Sequence, residues 1–135
     1  MQRRLLLTAV LVLTLLVPAL GIATASASHD GMSHPFADDA FQQTWERTDK
    51  PVADGNVSRT WMWGPEPYTE GMMEPYADSP GGERLVQYFD KSRMEINNPN
   101  ATNDGLWYVT NGLLVREMVT GQVQVGDDEF TMANP

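Results

Sequence analysis

Four aromatic residues are the first candidates for chemistry: Trp61, Trp63, Tyr68 and Tyr76. Trp61 and Trp63 are two apart, so on a strand they share one face. Tyr68 and Tyr76 follow in a stretch rich in proline and glycine. Flat indole and phenol rings stack on sugar rings, and both residue types are enriched at binding sites. The four therefore form a candidate ligand-binding set, with an extracellular or cell-wall glycan as candidate partner. A core role for Trp61 and Trp63 stays open beside it. A small cysteine-free domain has few other large side chains to bury, and Trp45 and Trp107 are expected in that core.

Acidic residues are the second candidates. Glycoside hydrolysis needs two carboxyl groups at a set separation, one with a raised pKa. Glu83, Asp90 and Glu95 could be read that way, which makes a small secreted glycan hydrolase the competing function. The chain holds eighteen acids, however, so chance pairs are cheap. Asp90 suits a turn. Glu95 alternates with Met94 and Ile96, which predicts a solvated face and pairing with Arg84 or Arg93. No catalytic residue is assigned. Asn100, Thr102, Asp104 and Gly105 imitate the start of a calcium loop, but Asn111 stands where a bidentate acid is required. His29 and His34 have no third ligand nearby, so no metal is expected. There is no cysteine, no nucleophile elbow, no phosphate loop and no dinucleotide fingerprint, so no cofactor is implied.

The elements that must position these residues centre on residues 85–96, L-V-Q-Y-F-D-K-S-R-M-E-I. Period-two alternation on both sides of Asp90-Lys91-Ser92 predicts a hairpin. Before it, Asp38 or Asp39 can cap a helix running to about Thr48, with Phe41 and Trp45 on one face. Pro51 should end that helix, and Asp54-Gly55 marks a turn. Residues 57–63 read as a strand, and 64–82 as a long surface loop. After the hairpin come a turn at 97–105 and a short strand at 106–110. Residues 113–120 then read as a helix, with Gly121 as its left-handed C-terminal cap. Alternation resumes over 122–130, with a turn at Gly126-Asp127. The last strand has no evident partner in the pattern, which leaves open a continuation beyond Pro135. The fold class is α+β: one small domain of short helices packed on β-hairpins.

The first residues belong to another category. Arg3 and Arg4, the uncharged apolar run 5–17, Pro18 and Gly21, then Ala25-Ser26-Ala27, reproduce a secretory signal peptide. The competing reading is a retained anchor, since the apolar segment approaches spanning length. The division is a signal peptide over 1–27, a flexible lead over 28–35 and a module over 36–135. Cleavage removes two of the nine basic residues and leaves seven against eighteen acids, a net charge of −11. That surface repels nucleic acid and anionic headgroups. Without cysteine, stability rests on a thin core.

Three segments carry a resemblance: F-Q-Q-T-W-E-R-T-D-K-P-V (41–52), V-Q-Y-F-D-K-S-R-M-E (86–95) and Y-V-T-N-G-L-L (108–114). Together they resemble a recurrent module near the N-termini of secreted, mostly uncharacterised bacterial proteins, F-x-x-x-W-E, then V-Q-Y-F-x-x-x-R-x-E, then V-x-x-G-x-L, over about residues 36–130. The order is distantly similar to the Leu-Gly-Phe-Pro repeats of bacterial cell-envelope proteins. The tetrapeptide itself is missing here, and Ala53-Asp54-Gly55-Asn56 stands at the tight turn. The resemblance implies a module of the cell envelope or extracellular space, accessory to a further domain, and brings no catalytic residues. The expected function is thus a secreted, non-catalytic binding or spacer module. Mass spectrometry of the exported protein should find Ser28 at the N-terminus; an intact Met1 form in the membrane fraction would show an anchor instead.

Overall fold

In this computed structural model, residues 34–102 and 107–133 are described. The expected signal peptide, His29, Asp104, Gly105 and Leu106 lie outside them.

Asp38 stops the extended lead and starts the first helix, α1 (Asp39–Thr48). Its carboxylate accepts from Ala40 N at 2.7 Å, which satisfies an otherwise orphaned donor. Phe41 and Trp45 lie one turn apart on the inner face, as their spacing predicts. Phe41 is fully buried, and the Trp45 indole N–H donates to Gly64 O at 2.8 Å. Pro51 does not end the helical path. A second short helix, α2 (Lys50–Ala53), follows Asp49 and carries Pro51 in its first turn, where no amide hydrogen is required.

The expected strand at 57–63 is absent, and Asp49 is the reason. Its carboxylate is fully buried and accepts from three successive amides: Met62 at 2.9 Å, Trp63 at 2.6 Å and Gly64 at 3.1 Å. Those amides are unavailable to a β-ladder. The segment instead winds over α2, with Arg59 Nη1 at 3.5 Å from Asp49.

Four antiparallel strands form the main sheet, in the order β1-β2-β3-β4. They are β1 (Met72–Pro75), β2 (Glu83–Tyr88), β3 (Arg93–Ile96) and β4 (Thr110–Asn111). The predicted hairpin is β2–β3, closed where Phe89 N donates to Ser92 O at 2.8 Å. β1 corrects the reading of 64–82 as a loop. It is an edge strand, the one place in a sheet where Pro75 costs no ladder bond. β4 is shorter and later than expected. Helix α3 (Leu114–Thr120) ends as predicted, with Gly121 at φ 68°. β5 (Gln122–Gln124) and β6 (Phe130–Met132) then pair with each other, so the last strand does have a partner. Short helices with antiparallel sheets make this a small α+β domain.

The register divides β2 and β3 into two faces. Leu85, Gln87, Met94 and Ile96 point one way; Arg84, Val86, Tyr88, Arg93 and Glu95 point the other. The first face meets α1 in a core built on Phe41, Trp63, Phe89, Met94 and Ile96. Gln87 is buried among them with its amide satisfied by Pro35 O and Thr69 O, both at 2.9 Å, and by Ala37 N at 3.0 Å. Trp107, expected in the core, is 85% exposed. Its neighbours Tyr108 and Val109 pack against that core instead.

Phe89→Ala should cost about 3–5 kcal/mol, because its ring is enclosed by this cluster. Asp49→Ala should cost about 3 kcal/mol by stranding the amides it binds. Denaturant midpoints check both, and in Asp49→Ala hydrogen exchange at Met62, Trp63 and Gly64 should accelerate beyond the rise at the core strands, which Phe89→Ala should not reproduce.

Candidate functional site

The second face of the sheet carries the densest group of chemically capable side chains. Alternation puts Arg84 and Tyr88 on β2 beside Arg93 and Glu95 on β3. Glu74 joins them from β1, and Glu117 reaches down from α3. Arg84, Arg93 and Glu95 are almost completely buried.

Arg93 is the centre. Its Nη1 and Nη2 donate to the two Glu117 oxygens at 3.1 and 3.0 Å, a bidentate fork. Its Nε donates to Glu95 Oε1 at 2.7 Å, and Nη1 also donates to the Tyr88 hydroxyl at 3.1 Å. Tyr88 in turn donates to Glu74 Oε1 at 2.7 Å. Arg84 lies 3.2 Å from Glu95 Oε2, donates to Gln124 O at 3.1 Å and stacks 4.4 Å from the Tyr76 ring centroid. The Tyr76 hydroxyl donates to Asp127 at 2.7 Å.

The electrostatics follow from burial. Desolvation pushes the Glu95 carboxyl above its ordinary range, outweighing the pull of Arg84 and Arg93. Burial works against the Arg93 charge, but hydrogen bonds to Glu117 and Tyr88 and the fields of Glu95 and Glu74 outweigh it and hold its pKa up. Burial and the bond to Glu74 raise Tyr88, and burial and Asp127 raise Tyr76, so both phenols stay protonated. Every carboxylate here is engaged by a guanidinium or a phenol. Such an arrangement clamps layers together: Glu117, Gln124 and Asp127 all belong to the C-terminal unit that covers this face. Among the described residues, no group of three or more His, Cys, Asp or Glu is arranged to hold a metal ion, and no helix is long and apolar enough to cross a membrane.

The residues singled out from sequence are not brought together. Trp63 is 4% exposed, with its ring 6.1 Å from that of Phe89, and Tyr76 is 2% exposed beneath Arg84. Neither offers a face to a sugar, which corrects their assignment as ligand-binding residues. Trp61 is half-buried and Tyr68 exposed, so the four form no stacking platform. Glu83 is exposed at the start of β2, and Asp90 pairs with Lys91 at 2.8 Å in the hairpin turn. Glu95 is the clearest correction. Its alternation with Met94 and Ile96 was correct, but the opposite face meets a third layer rather than solvent.

Set against protein-family models, curated proteins and solved structures, the chain matches none.

A second feature escaped the sequence reading. Glu117 is the buried residue of α3, whereas Val115, Met118 and Val119 are 77%, 83% and 81% exposed. Met132 of β6 is exposed as well, its Cε near Gly121. The helix is thus inverted, with charge inside and apolar side chains outside. The signal was present: Val115, Met118 and Val119 fall at i, i+3 and i+4, with Glu117 opposite. Reading that stripe as the inner face is the natural inference, and the Arg93–Glu117 pair reverses it.

Arg93→Ala should destabilise the domain by about 3–5 kcal/mol, because Glu95 and Glu117 lose their counter-charge. Arg93→Lys should restore only part of that, since an ammonium cannot make the bidentate fork. The Glu95 shift also has a sign. Its folded pKa lies above the unfolded value, so its contribution is present below about pH 4 and is lost as pH rises through the raised folded value. The melting temperature should therefore rise on mild acidification from neutral pH. Calorimetry of Glu95→Gln should show that rise flattened.

Proposed function

We propose that the chain is an exported, non-catalytic docking module that engages its partner through the outer face of α3 and β6. The observation that carries this reading is the inverted helix: Val115, Met118 and Val119 face outward while Glu117 is buried. Three large apolar side chains exposed on one helix face of a small acidic domain favour an interaction site, because exposing them to water is otherwise unfavourable. Further support comes from the ionic layer. Its carboxylates are held by Arg84, Arg93 and the two phenols, which fits a clamp better than an acid–base pair. Export follows from the N-terminal charge and apolar pattern, and the resemblance to secreted bacterial modules points the same way.

Nile red, a neutral dye, should bind the native protein and brighten. In Val115→Ser/Met118→Ser/Val119→Ser the brightening should be lost with the melting temperature unchanged, since these side chains stabilise little in the isolated domain. A sharp fall in melting temperature would show that they pack internally. Release of reducing sugar from peptidoglycan or a neutral polysaccharide, abolished by Glu95→Gln, would establish the hydrolase reading instead.

A further inference from the structure

We propose that Asn56 and Asn100 are sites of covalent modification, each carrying an Asn-linked glycan on the exported chain. The inference rests on the export part of the reading above and is independent of the docking face, since neither residue belongs to α3 or β6. Each opens an Asn-x-Ser/Thr tripeptide with a residue other than proline in the middle: Asn56-Val57-Ser58 and Asn100-Ala101-Thr102. No other asparagine of the chain does so. Transfer of a glycan to such a tripeptide needs three things in one place. The side-chain amide must be free, the hydroxyl two residues on must be free, and the backbone must lie outside any helix or strand so that a transferase can enclose it.

Both segments meet these requirements. Asn56 follows α2, and Asn100 lies between β3 and β4, each in a turn on the surface. Every residue of the two tripeptides is exposed. Only the main chain is anchored: Asn56 N donates to Pro51 O at 2.9 Å, and Asn100 N donates to Asn98 Oδ1 at 3.0 Å. The side chains of Asn56, Ser58, Asn100 and Thr102 make no hydrogen bond among the described residues. The other described asparagines differ. Asn98 uses its side-chain oxygen for that bond, Asn111 accepts from the Ser92 hydroxyl, and Asn97 Oδ1 is buried. The free amides thus coincide with the tripeptides. The donor is an oligosaccharide joined through its anomeric carbon to a polyprenyl diphosphate. Asparagine Nδ2 attacks that carbon, a C–N bond forms, and the C–O bond to phosphate breaks. The lipid diphosphate leaves, and one amide proton passes to a base of the transferase. The hydroxyl two residues on is held by the transferase and stays unchanged. No bond of the fold is consumed.

The test is peptide mass spectrometry of the chain exported by its native host. Peptides spanning Asn56 and Asn100 should each carry an added mass that releases sugar oxonium ions on fragmentation, with the mass located on the asparagine. Ser58→Ala should remove it from Asn56 alone, and Thr102→Ala from Asn100 alone. Thr102→Ser should keep it. Asn56→Gln/Asn100→Gln should lose both while its circular dichroism stays native, because neither amide holds the fold. An exported chain that starts at Ser28 with both asparagines unmodified overturns the inference and leaves export standing. An unmodified chain found only in the cytoplasm overturns both. Added mass at one site alone overturns the assignment of the other. Sugar located on the Ser58 or Thr102 hydroxyl, or retained on the asparagine in Ser58→Ala and Thr102→Ala, also overturns the inference. Nile red binding reports the docking face separately in every case.

Discussion

A guanidinium with 1% of its surface in water cannot stand without counter-charge, and Arg93 is in that position. Much of the architecture answers this one requirement. Glu95 lies two residues on, on the same face of the strand, and Glu117 arrives from a helix beyond the next strand. Between them the chain passes so near that Gly112 has no room for a side chain. A Cβ there would lie 2.7 Å from both Arg93 Nε and Glu95 Oε1. The glycine that joins β4 to α3 is therefore a condition of the ion pair, and the ion pair is what orients α3.

The sheet thus separates two kinds of interior. Toward α1, apolar side chains pack and the one buried amide, Gln87, is fully bonded. Toward α3, the interior is made of charges, phenols and a few backbone groups. Apolar packing holds the first pair of layers by area removed from water. The second pair is held by directional bonds and ion pairs centred on Arg93, while Arg84 Nε and Nη1 and Glu74 Oε2 stay without a hydrogen bond. Asp49 plays a related part on a smaller scale, replacing a strand by a turn through the amides it gathers.

The fold was legible where the pattern is local. The hairpin at 85–96, the α1 cap at Asp38, the helix before Gly121 and the turn at Gly126 each depend on residues near one another in sequence, and each is present. The misses share a cause. Residues 57–63 alternate like a strand, but a carboxylate from α2's leading edge takes the amides of Met62 and Trp63. β1 hides in a proline-rich stretch because an edge strand tolerates proline. Glu95 alternates correctly, yet period two reports which face a side chain takes and says nothing of what covers that face. The site was less legible still. Trp63 and Tyr76 were drawn together by residue type, while the structure sends one to the core and the other beneath a guanidinium.

The layer formed by α3, β5 and β6 contributes no residue to the apolar core, whose last member is Val109. Lifting that layer would uncover arginines, glutamates and phenols, groups that water solvates readily. Sticky hydrocarbon would stay sealed under α1. A partial opening of this kind exposes less apolar surface than the detachment of an ordinary amphipathic helix. The charged interior therefore gives the protein a way to open at its C-terminal side that uncovers mostly polar groups, with Val86 the one fully buried apolar side chain of that face.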